Sequence, residues 1–200
     1  MIDLYKYSKK NRFYNYLINN LFGVKTELLS KPFFYSGNIK LDIKKNFFYD
    51  YKKKFPITKW IDMNNREHYQ SNHDLQKLNI FKQSISLIEN FLNQKIKNNL
   101  LGFSFIGKFK VKSLWFTIQK KNEGHQSHNH PKSILSGVYY FSIDEDKGGE
   151  IEILMDGQTI CHKPKVNDII IFHSDTYHSV KPYHGKNDRI ALVWDAVYSF

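Results

Sequence analysis

The sequence predicts a mainly β protein of the sandwich, jelly-roll or barrel type, with helix confined to its N-terminal half. The first observation is that the spacing of apolar residues changes near residue 100, from three and four to two. The second is a series of short segments rich in Val, Ile, Phe and Tyr, bounded by turns such as Gly148-Gly149. Many short strands without intervening helices are typical of closed or sandwiched antiparallel sheets.

The helical period lies between Asp74 and Asn99. One apolar stripe there comprises Leu78, Phe81, Ile85, Ile88, Leu92 and Ile96. Asp74 follows Ser71 and Asn72 and is a candidate helix cap. Such a helix covers a sheet, and we expect no catalytic role for it.

The alternating period predicts strands throughout the second half of the chain. They span 103–111, 113–119, 134–143, 150–155, 168–173 and 190–197. Two hundred residues fit one compact domain. We expect residues 1–100 to form a helical or mixed region that packs on a β core formed by residues 101–200.

Composition excludes several protein classes. A hydrophobic content of 41%, with 16% aromatic residues, excludes a disordered chain. No apolar run approaches the ~20 residues of a membrane span, and the N-terminus lacks the apolar region of a secretory signal. Cys161 is the single cysteine, which excludes an intramolecular disulfide and suits a reducing compartment. We therefore expect a cytoplasmic protein with no membrane association.

The net charge of +11 is concentrated in the first hundred residues, which hold 18 basic and 8 acidic side chains. Such a basic half could face nucleic acid. Only three of the 30 basic residues are arginine, however, namely Arg12, Arg66 and Arg189. Readers of base edges and phosphates favour arginine. We attribute the lysine excess to compositional bias and do not expect nucleic acid to be the partner.

Histidine carries the chemical signal. His125, His128 and His130 fall within six positions, and His173 and His178 follow an apolar strand. Residues two apart on a strand share a face, so His128 and His130 with a distant histidine could form a facial metal site with open positions. The alternative is a set of ordinary hydrogen-bonded histidines, and spacing alone does not decide between the two.

The wider pattern joins HNHP, the strand SGVYYF, the double glycine, the late His178 and an arginine eleven residues after it. In combination these motifs, over about residues 110–197, resemble the 2-oxoglutarate/Fe(II)-dependent oxygenases, in particular a branch related to the prolyl hydroxylases. The resemblance implies a double-stranded β-helix (jelly roll) with flanking N-terminal α-helices. It implies Fe(II), 2-oxoglutarate as cosubstrate and dioxygen.

Residue by residue, the resemblance makes His128 the first iron ligand and His178 the distal one. Arg189 would pair with the distal carboxylate of 2-oxoglutarate, and Tyr140 would also contact the cosubstrate. His128, His178 and Arg189 are therefore the expected catalytic residues. Ala191 stands where many relatives carry a serine, which removes one hydrogen bond to that carboxylate.

The main departure from the family pattern is His130, which occupies the position of the usual acidic ligand. Either His130 ligates, or water or a nearby acid such as Asp175 takes its place. We expect His130 to ligate, because it shares a face with His128.

The resemblance implies a dioxygenase that hydroxylates an unidentified small-molecule or peptide substrate. The first substrate to consider is a peptidyl proline or another amino-acid side chain. A second hypothesis is a cupin-like metal-binding domain without oxygenase activity. A third is a nucleic-acid demethylase, but those relatives carry a second arginine at the position of Asp195. The sequence does not indicate an oligomeric state.

Overall fold

Eleven β-strands and two α-helices make up the regular structure of residues 33–56, 59–61, 67–97 and 107–199, which the computed structural model describes. The strands are β1 (Phe34–Asn38), β2 (Lys59–Ile61), β3 (Glu67–Gln70), β4 (Lys108–Gln119), β5 (His125–His128), β6 (Leu135–Ser142), β7 (Ile151–Met155), β8 (Gln158–His162), β9 (Asp168–His173), β10 (His178–Val180) and β11 (Arg189–Ser199). The helices are α1 (Asn46–Lys54) and α2 (Lys82–Phe91). The mainly β prediction, with helices in the N-terminal half, is confirmed.

The strands form two antiparallel sheets. The larger has the order β1-β9-β6-β11-β4-β3-β2 and the smaller has the order β5-β10-β7-β8. Side chains of both sheets meet in one apolar cluster, in which Ile151 and Ile153 of β7 join Tyr140 of β6 and Ile170 of β9. The two sheets therefore pack face to face, as a jelly roll requires.

Strand β11 separates the interior of the jelly roll from an outer apolar layer. Alternate residues of a strand point to opposite faces. Ile190, Leu192 and Trp194 lie in the outer cluster with residues of the helices, whereas the residues between them face the smaller sheet. Phe48 of α1 and Ile88 of α2 are fully buried in that outer layer. The helices thus cover the larger sheet and leave its inner face to the site.

The apolar stripe does not form one helix from residue 74. Two 3-10 turns, Leu75–Lys77 and Asn79–Phe81, precede α2, and Leu78 between them has extended backbone (φ −82°, ψ 134°). This break turns Leu78 outward, where it is 38% exposed. Asp74 makes no capping hydrogen bond, and its carboxylate instead lies 3.3 Å from the ammonium of Lys77. Both expectations were wrong, while α2 and the π-helical turn Leu92–Ile96 continue the buried stripe.

The predicted strands agree closely with the observed ones. The segments 103–111 and 113–119 correspond to the single strand β4, although positions 103–106 lie outside the described residues. The other four match β6, β7, β9 and β11 within about two residues at each end. The short strands β1, β2, β3, β5, β8 and β10 were not predicted.

The N-terminal half extends the larger sheet at both edges. Strand β1 pairs with β9 at one edge, and β3 pairs with β4 towards the other. Elements from both halves of the chain therefore share one hydrogen-bonded sheet. No helix among the described residues is long and apolar enough to cross a membrane.

Candidate active site

A cavity of about 320 Å³ opens between the two sheets. Strands of the smaller sheet bring His128 and His178 to its wall, and β6 and β11 of the larger sheet bring Tyr140 and Arg189. Between these polar groups the wall is apolar, with Val138, Ile151, Val180, Ala191 and Val193. The arrangement is a largely apolar chamber with a few fixed polar groups, which is typical of small-molecule sites.

Three histidines converge at one end of the cavity. His128 lies directly opposite His178 across the antiparallel pair β5 and β10. His130 follows two residues beyond the end of β5, where its backbone N–H donates to the carbonyl of Ser174 at 2.7 Å. One ring nitrogen from each of the three lies within 4.8 Å of the others. The structure thus brings together all three predicted ligands, although His130 reaches the site from a turn rather than by strand alternation.

Hydrogen bonds set the orientation of His128 and His178. Nδ1 of His128 lies 2.9 Å from the carbonyl oxygen of Gln126, and Nδ1 of His178 lies 3.1 Å from that of Thr176. A carbonyl oxygen only accepts, so each Nδ1 must carry the hydrogen and each Nε2 keeps its lone pair. This arrangement is typical of metal-ligating histidines, whose second nitrogen is held by an acceptor.

His130 is oriented by a carboxylate instead. Its Nδ1 lies 2.9 Å from Oδ1 of Asp195, and its Nε2 is buried without a hydrogen-bond partner among the described residues. A buried polar nitrogen without a partner is costly. A cation held by the three imidazoles would supply that partner.

Burial keeps His128 and His178 neutral. It lowers the pKa of His128 to about 4 and that of His178 to about 3, and the neighbouring imidazoles add to the effect. Burial, with His128 beside it, also lowers the pKa of His125 to about 2. The His125 ring lies 4.1 Å from that of His128. Neutral imidazoles are the form that binds metals.

Asp175, the alternative third ligand, does not reach the cluster. Its side chain is exposed, although it comes only three residues before His178. It is absent from the group of potential ligands and from the cavity wall described above. Among the described residues, His130 is therefore the better candidate.

The buried guanidinium of Arg189 lies at the other end of the cavity. It is 2% exposed, and its Nη1 donates to Oε1 of Gln119 on the neighbouring strand. Its central carbon lies 4.9 Å from the centre of the Tyr140 ring, and its Nε has no hydrogen-bond partner among the described residues. Burial lowers the pKa of Arg189, since it disfavours the charged form. No carboxylate of the described residues forms an ion pair with it, so the site suits an anionic ligand.

Tyr140 completes this end of the cavity. It is fully buried, and its hydroxyl has no hydrogen-bond partner among the described residues. It lies opposite Ala191 in the pairing of β6 with β11, two residues along β11 from Arg189. A buried hydroxyl beside an uncompensated cation fits a ligand with oxygen acceptors. The Tyr140 hydroxyl belongs to the residue paired with Ala191, the position at which many relatives carry a serine.

Gln119 and the contact of Asp195 with His130 were not predicted from the sequence. Both side chains lie on the inner face by strand alternation, Gln119 on the same face of β4 as Thr117 and Asp195 on the same face of β11 as Arg189. That alternation could have identified them. The parallel stack of His73 on Trp115, with ring centres 4.2 Å apart at the cavity wall, was not predicted either. Here the turn that carries His73 gave no signal.

Residues 113–195 match the family described as "Putative 2OG-Fe(II) oxygenase". This match, over 83 of the 200 residues, indicates a 2-oxoglutarate/Fe(II)-dependent oxygenase. The match covers all five predicted site residues. It favours the oxygenase over the cupin-like hypothesis. Enzymes of this family use Fe(II), 2-oxoglutarate and dioxygen.

Solved structures share the fold of this oxygenase at low sequence identity. An oxidoreductase of the 2OG-Fe(II) oxygenase family from Burkholderia pseudomallei has 14% identity and a TM-score of 0.60, covering 92% of this chain and 89% of its own. A Pseudomonas putida prolyl-4-hydroxylase has 14% identity and a TM-score of 0.58, over 86% and 96%. A Trichoplax adhaerens prolyl hydroxylase, in complex with a peptide fragment of the hypoxia inducible factor oxygen degradation domain, has 15% identity and a TM-score of 0.59, over 96% and 92%. No curated protein matches the sequence.

Proposed function

We propose that this oxygenase hydroxylates an amino-acid side chain, with a peptidyl proline as the preferred substrate. The site is formed by His128, His130, His178, Arg189 and Tyr140. The observation that carries the proposal is one cavity with a cluster of three histidines at one end and a buried, uncompensated arginine at the other. The first end suits a divalent metal and the second a carboxylate. A dicarboxylic cosubstrate that also binds metal would connect the two.

The donor set fits Fe(II). In His128, His130 and His178 the Nδ1 atom contacts an oxygen acceptor, so Nε2 is the atom that would bind Fe(II). Three ligands on one side leave positions open, as in the facial sites of non-haem Fe(II) oxygenases. When bound, Fe(II) with 2-oxoglutarate and dioxygen supplies the oxidation that yields succinate and CO₂ and places one oxygen atom in a substrate C–H bond.

Arg189 would hold the distal carboxylate of 2-oxoglutarate. A planar guanidinium donates two parallel hydrogen bonds to a carboxylate. Gln119 accepts from Nη1 and so fixes the plane of the fork, while the Tyr140 ring supports its face. The Tyr140 hydroxyl then donates the hydrogen bond that Ala191 cannot. Because this end is buried, the ion pair forms away from water and is correspondingly strong.

The apolar wall between the two ends keeps water out. Val138, Ala191 and Val193 of the larger sheet face Ile151 and Val180 of the smaller one. Exclusion of water limits side reactions of an oxidising centre. The protein thus orients the metal and the cosubstrate and excludes water from the cavity, whereas the metal and cosubstrate supply the redox chemistry.

Two relatives favour a peptidyl substrate. The fold is shared with a prolyl-4-hydroxylase, and with a prolyl hydroxylase whose structure contains a peptide. Fold alone does not fix a substrate. The test is 2-oxoglutarate turnover, measured as succinate, with a panel of proline-containing peptides, other peptides, free amino acids and oligonucleotides. Stimulation by peptides, with an added oxygen atom detected by mass spectrometry, is expected. Stimulation by a free amino acid or an oligonucleotide alone would overturn the peptidyl assignment.

The demethylase alternative finds no support at Asp195. Where such relatives carry a second arginine, this chain has a buried carboxylate, which lies 2.9 Å from Nδ1 of His130.

A further inference from the structure

We infer that Asp195 is a positioning residue of the metal centre, which fixes His130 and supplies through it the negative charge that a three-histidine site lacks. The inference rests on the proposed metal role of His130. It adds a residue that belongs neither to the ligands nor to the cosubstrate pocket. The observation behind it is the 2.9 Å contact between Nδ1 of His130 and Oδ1 of Asp195.

The carboxylate of Asp195 is itself held in place. The hydroxyl of Ser136 donates to Oδ1 at 2.6 Å, and that of Ser113 donates to Oδ2 at 3.3 Å. Because both hydroxyls donate, the carboxylate acts as an acceptor and His130 must be the donor at Nδ1. The Nε2 atom of His130 is then left with a lone pair, and it is buried and without a described partner.

The register of the strands brings the two serine hydroxyls to the carboxylate of Asp195. Ser113 on β4 and Ser136 on β6 are the register partners of Asp195 on its two sides. The register of β11 against β4 shifts between Asp195 and Ala196, which marks a bulge or irregularity. Bulges redirect side chains beside active sites. Here the irregularity falls at the residue that contacts His130.

Electrostatics explains why the carboxylate is needed. Most sites of this class include an acidic ligand, so that the ligands carry one negative charge. Three imidazoles that bind a metal through a ring lone pair contribute no negative charge. Asp195 is 9% exposed, and among the described residues its only ion-pair partner is His130. A buried carboxylate with so little compensation is costly, and a divalent cation one imidazole away would offset that cost.

The ring of His130 is also confined from the side. The Trp115 indole lies 5.4 Å from it, centre to centre, at an interplanar angle of 23°. The hydrogen bond therefore fixes the tautomer, while Trp115 restricts the plane of the ring. Together they pre-organise one ligand nitrogen, as carboxylate–histidine–metal triads do.

The first test needs no variant and no metal. Long-range ¹⁵N–¹H NMR of the apoprotein at mildly alkaline pH distinguishes the two tautomers of a neutral imidazole. We expect His130 to carry its hydrogen on Nδ1. A hydrogen on Nε2 would overturn the inference whether or not the protein binds iron.

The second test measures Co(II) affinity, with Co(II) as a redox-stable substitute for Fe(II). Asp195→Asn preserves shape and removes the charge, and loss of such a partner weakens metal binding by about 10–100-fold. The matched control is Asp168→Asn, because Asp168 pairs with His162 at 3.3 Å outside the cluster. The control should bind Co(II) as the wild type does, and thermal melting verifies that each variant is folded.

A double-mutant cycle shows whether Asp195 acts through His130. In a His130→Ala background, Asp195→Asn should change the Co(II) affinity by less than about twofold, since the connecting imidazole is gone. Equal affinities of wild type and Asp195→Asn would overturn the inference and leave the proposed function standing. A wild-type protein that binds no Co(II) would overturn the metal centre, and the inference with it.

Discussion

Gly149 packs against the side chain of Arg189. A β-carbon on Gly149 would lie 3.1 Å from Cδ and 3.2 Å from Nε of the arginine, and the glycine has a φ of +76°. The double glycine recognised in the sequence thus has a local reason, since its second member leaves room for the side chain of Arg189.

Gly149→Ala should therefore displace the guanidinium and raise the Kd of 2-oxoglutarate several-fold without changing metal affinity. Gly157→Ala is the matched control, because Gly157 has nearly the same φ, +75°, with no atom within 4 Å of its β-carbon position. Both variants should lose stability through backbone strain of about 1–2 kcal/mol. Isothermal titration with 2-oxoglutarate separates the two effects. Equal weakening in both variants would mean that strain, and not contact with Arg189, is responsible.

Arg189→Ala should raise the Kd of 2-oxoglutarate by about 100-fold or more and leave metal affinity nearly unchanged. The buried carboxylate would lose its cation, a loss of about 3–5 kcal/mol. Arg189→Lys should recover only part of this, because an ammonium cannot donate as a planar fork. Two titrations, one with Co(II) and one with 2-oxoglutarate, check the prediction. Equal weakening of both would indicate that Arg189 only stabilises the sheet.

Tyr140→Phe should weaken 2-oxoglutarate binding about tenfold and leave the stability of the apoprotein unchanged or slightly higher. The hydroxyl has no partner to lose among the described residues, and a hydrogen bond to a charged ligand contributes about 1.5–3 kcal/mol.

Tyr139→Phe is the control for that variant and should show the reverse pattern. The Tyr139 hydroxyl donates to Asn167 at 2.6 Å and accepts from the backbone N–H of Leu41 at 3.3 Å. Its removal should cost about 1–3 kcal/mol of stability without affecting cosubstrate binding. Calorimetric titration and thermal melting of both variants measure the two quantities. A Tyr140→Phe variant that binds 2-oxoglutarate normally would remove Tyr140 from the site.

His128→Ala or His178→Ala should abolish stoichiometric Fe(II) binding and succinate formation while the protein remains folded. Each variant removes one of three ring nitrogens that lie within 4.8 Å of one another and could hold a metal ion. His184→Ala is the control, because His184 is exposed and its Nδ1 contacts Asn122 away from the cavity. Metal analysis of anaerobically loaded protein checks the result. Full iron content in His128→Ala would show that the ligands are assigned wrongly.

The apoprotein should lose stability as the pH falls below 6.5. The pKa of His128 is lowered to about 4 and that of His178 to about 3 in the folded state, chiefly by burial. Below the ordinary value of 6.5 the unfolded chain therefore binds more protons than the folded one, so stability falls with decreasing pH. The contribution is complete above pH 6.5 and is lost as the pH falls towards 4 and then 3.

Thermal melting of metal-free protein between pH 7.5 and 4 measures this dependence. His128→Gln should flatten the curve, whereas the same change at the exposed His184 should not. A melting temperature of the apoprotein that is independent of pH across this window would contradict the burial of the histidines.

Strands β4, β6, β7, β9 and β11 could be predicted because they are rich in apolar residues and bounded by turns, and β6, β9 and β11 are buried on both faces. The six missed strands have only three to five residues and no clear alternation. Strand β7 is as short, but its Ile151-Glu152-Ile153 alternation directly follows the double glycine. Leu78 shows the opposite failure. It fits the helical spacing, yet its extended backbone between two 3-10 turns places it at the surface. Spacing is a local signal, whereas the break depends on how the turns pack against β4.

The site residues that belong to recognisable motifs could be predicted from the sequence. His128, His130, His178, Tyr140 and Arg189 do line one cavity. In the sequence, Asp195 stands out only because nucleic-acid demethylases carry an arginine at its position. Its contact with His130 joins positions 65 residues apart. Contacts of this kind depend on the register of the strands, which cannot be determined from the sequence.

Strand β11 lies at the centre of the larger sheet, hydrogen-bonded to β6 on one side and β4 on the other, and it carries both Arg189 and Asp195. During synthesis it leaves the ribosome after every other described strand. A nascent chain that stops before residue 189 has its three histidines but lacks the strand that joins the two halves of its sheet. Until this strand has been made, the chain therefore lacks both Arg189 and the carboxylate that contacts His130.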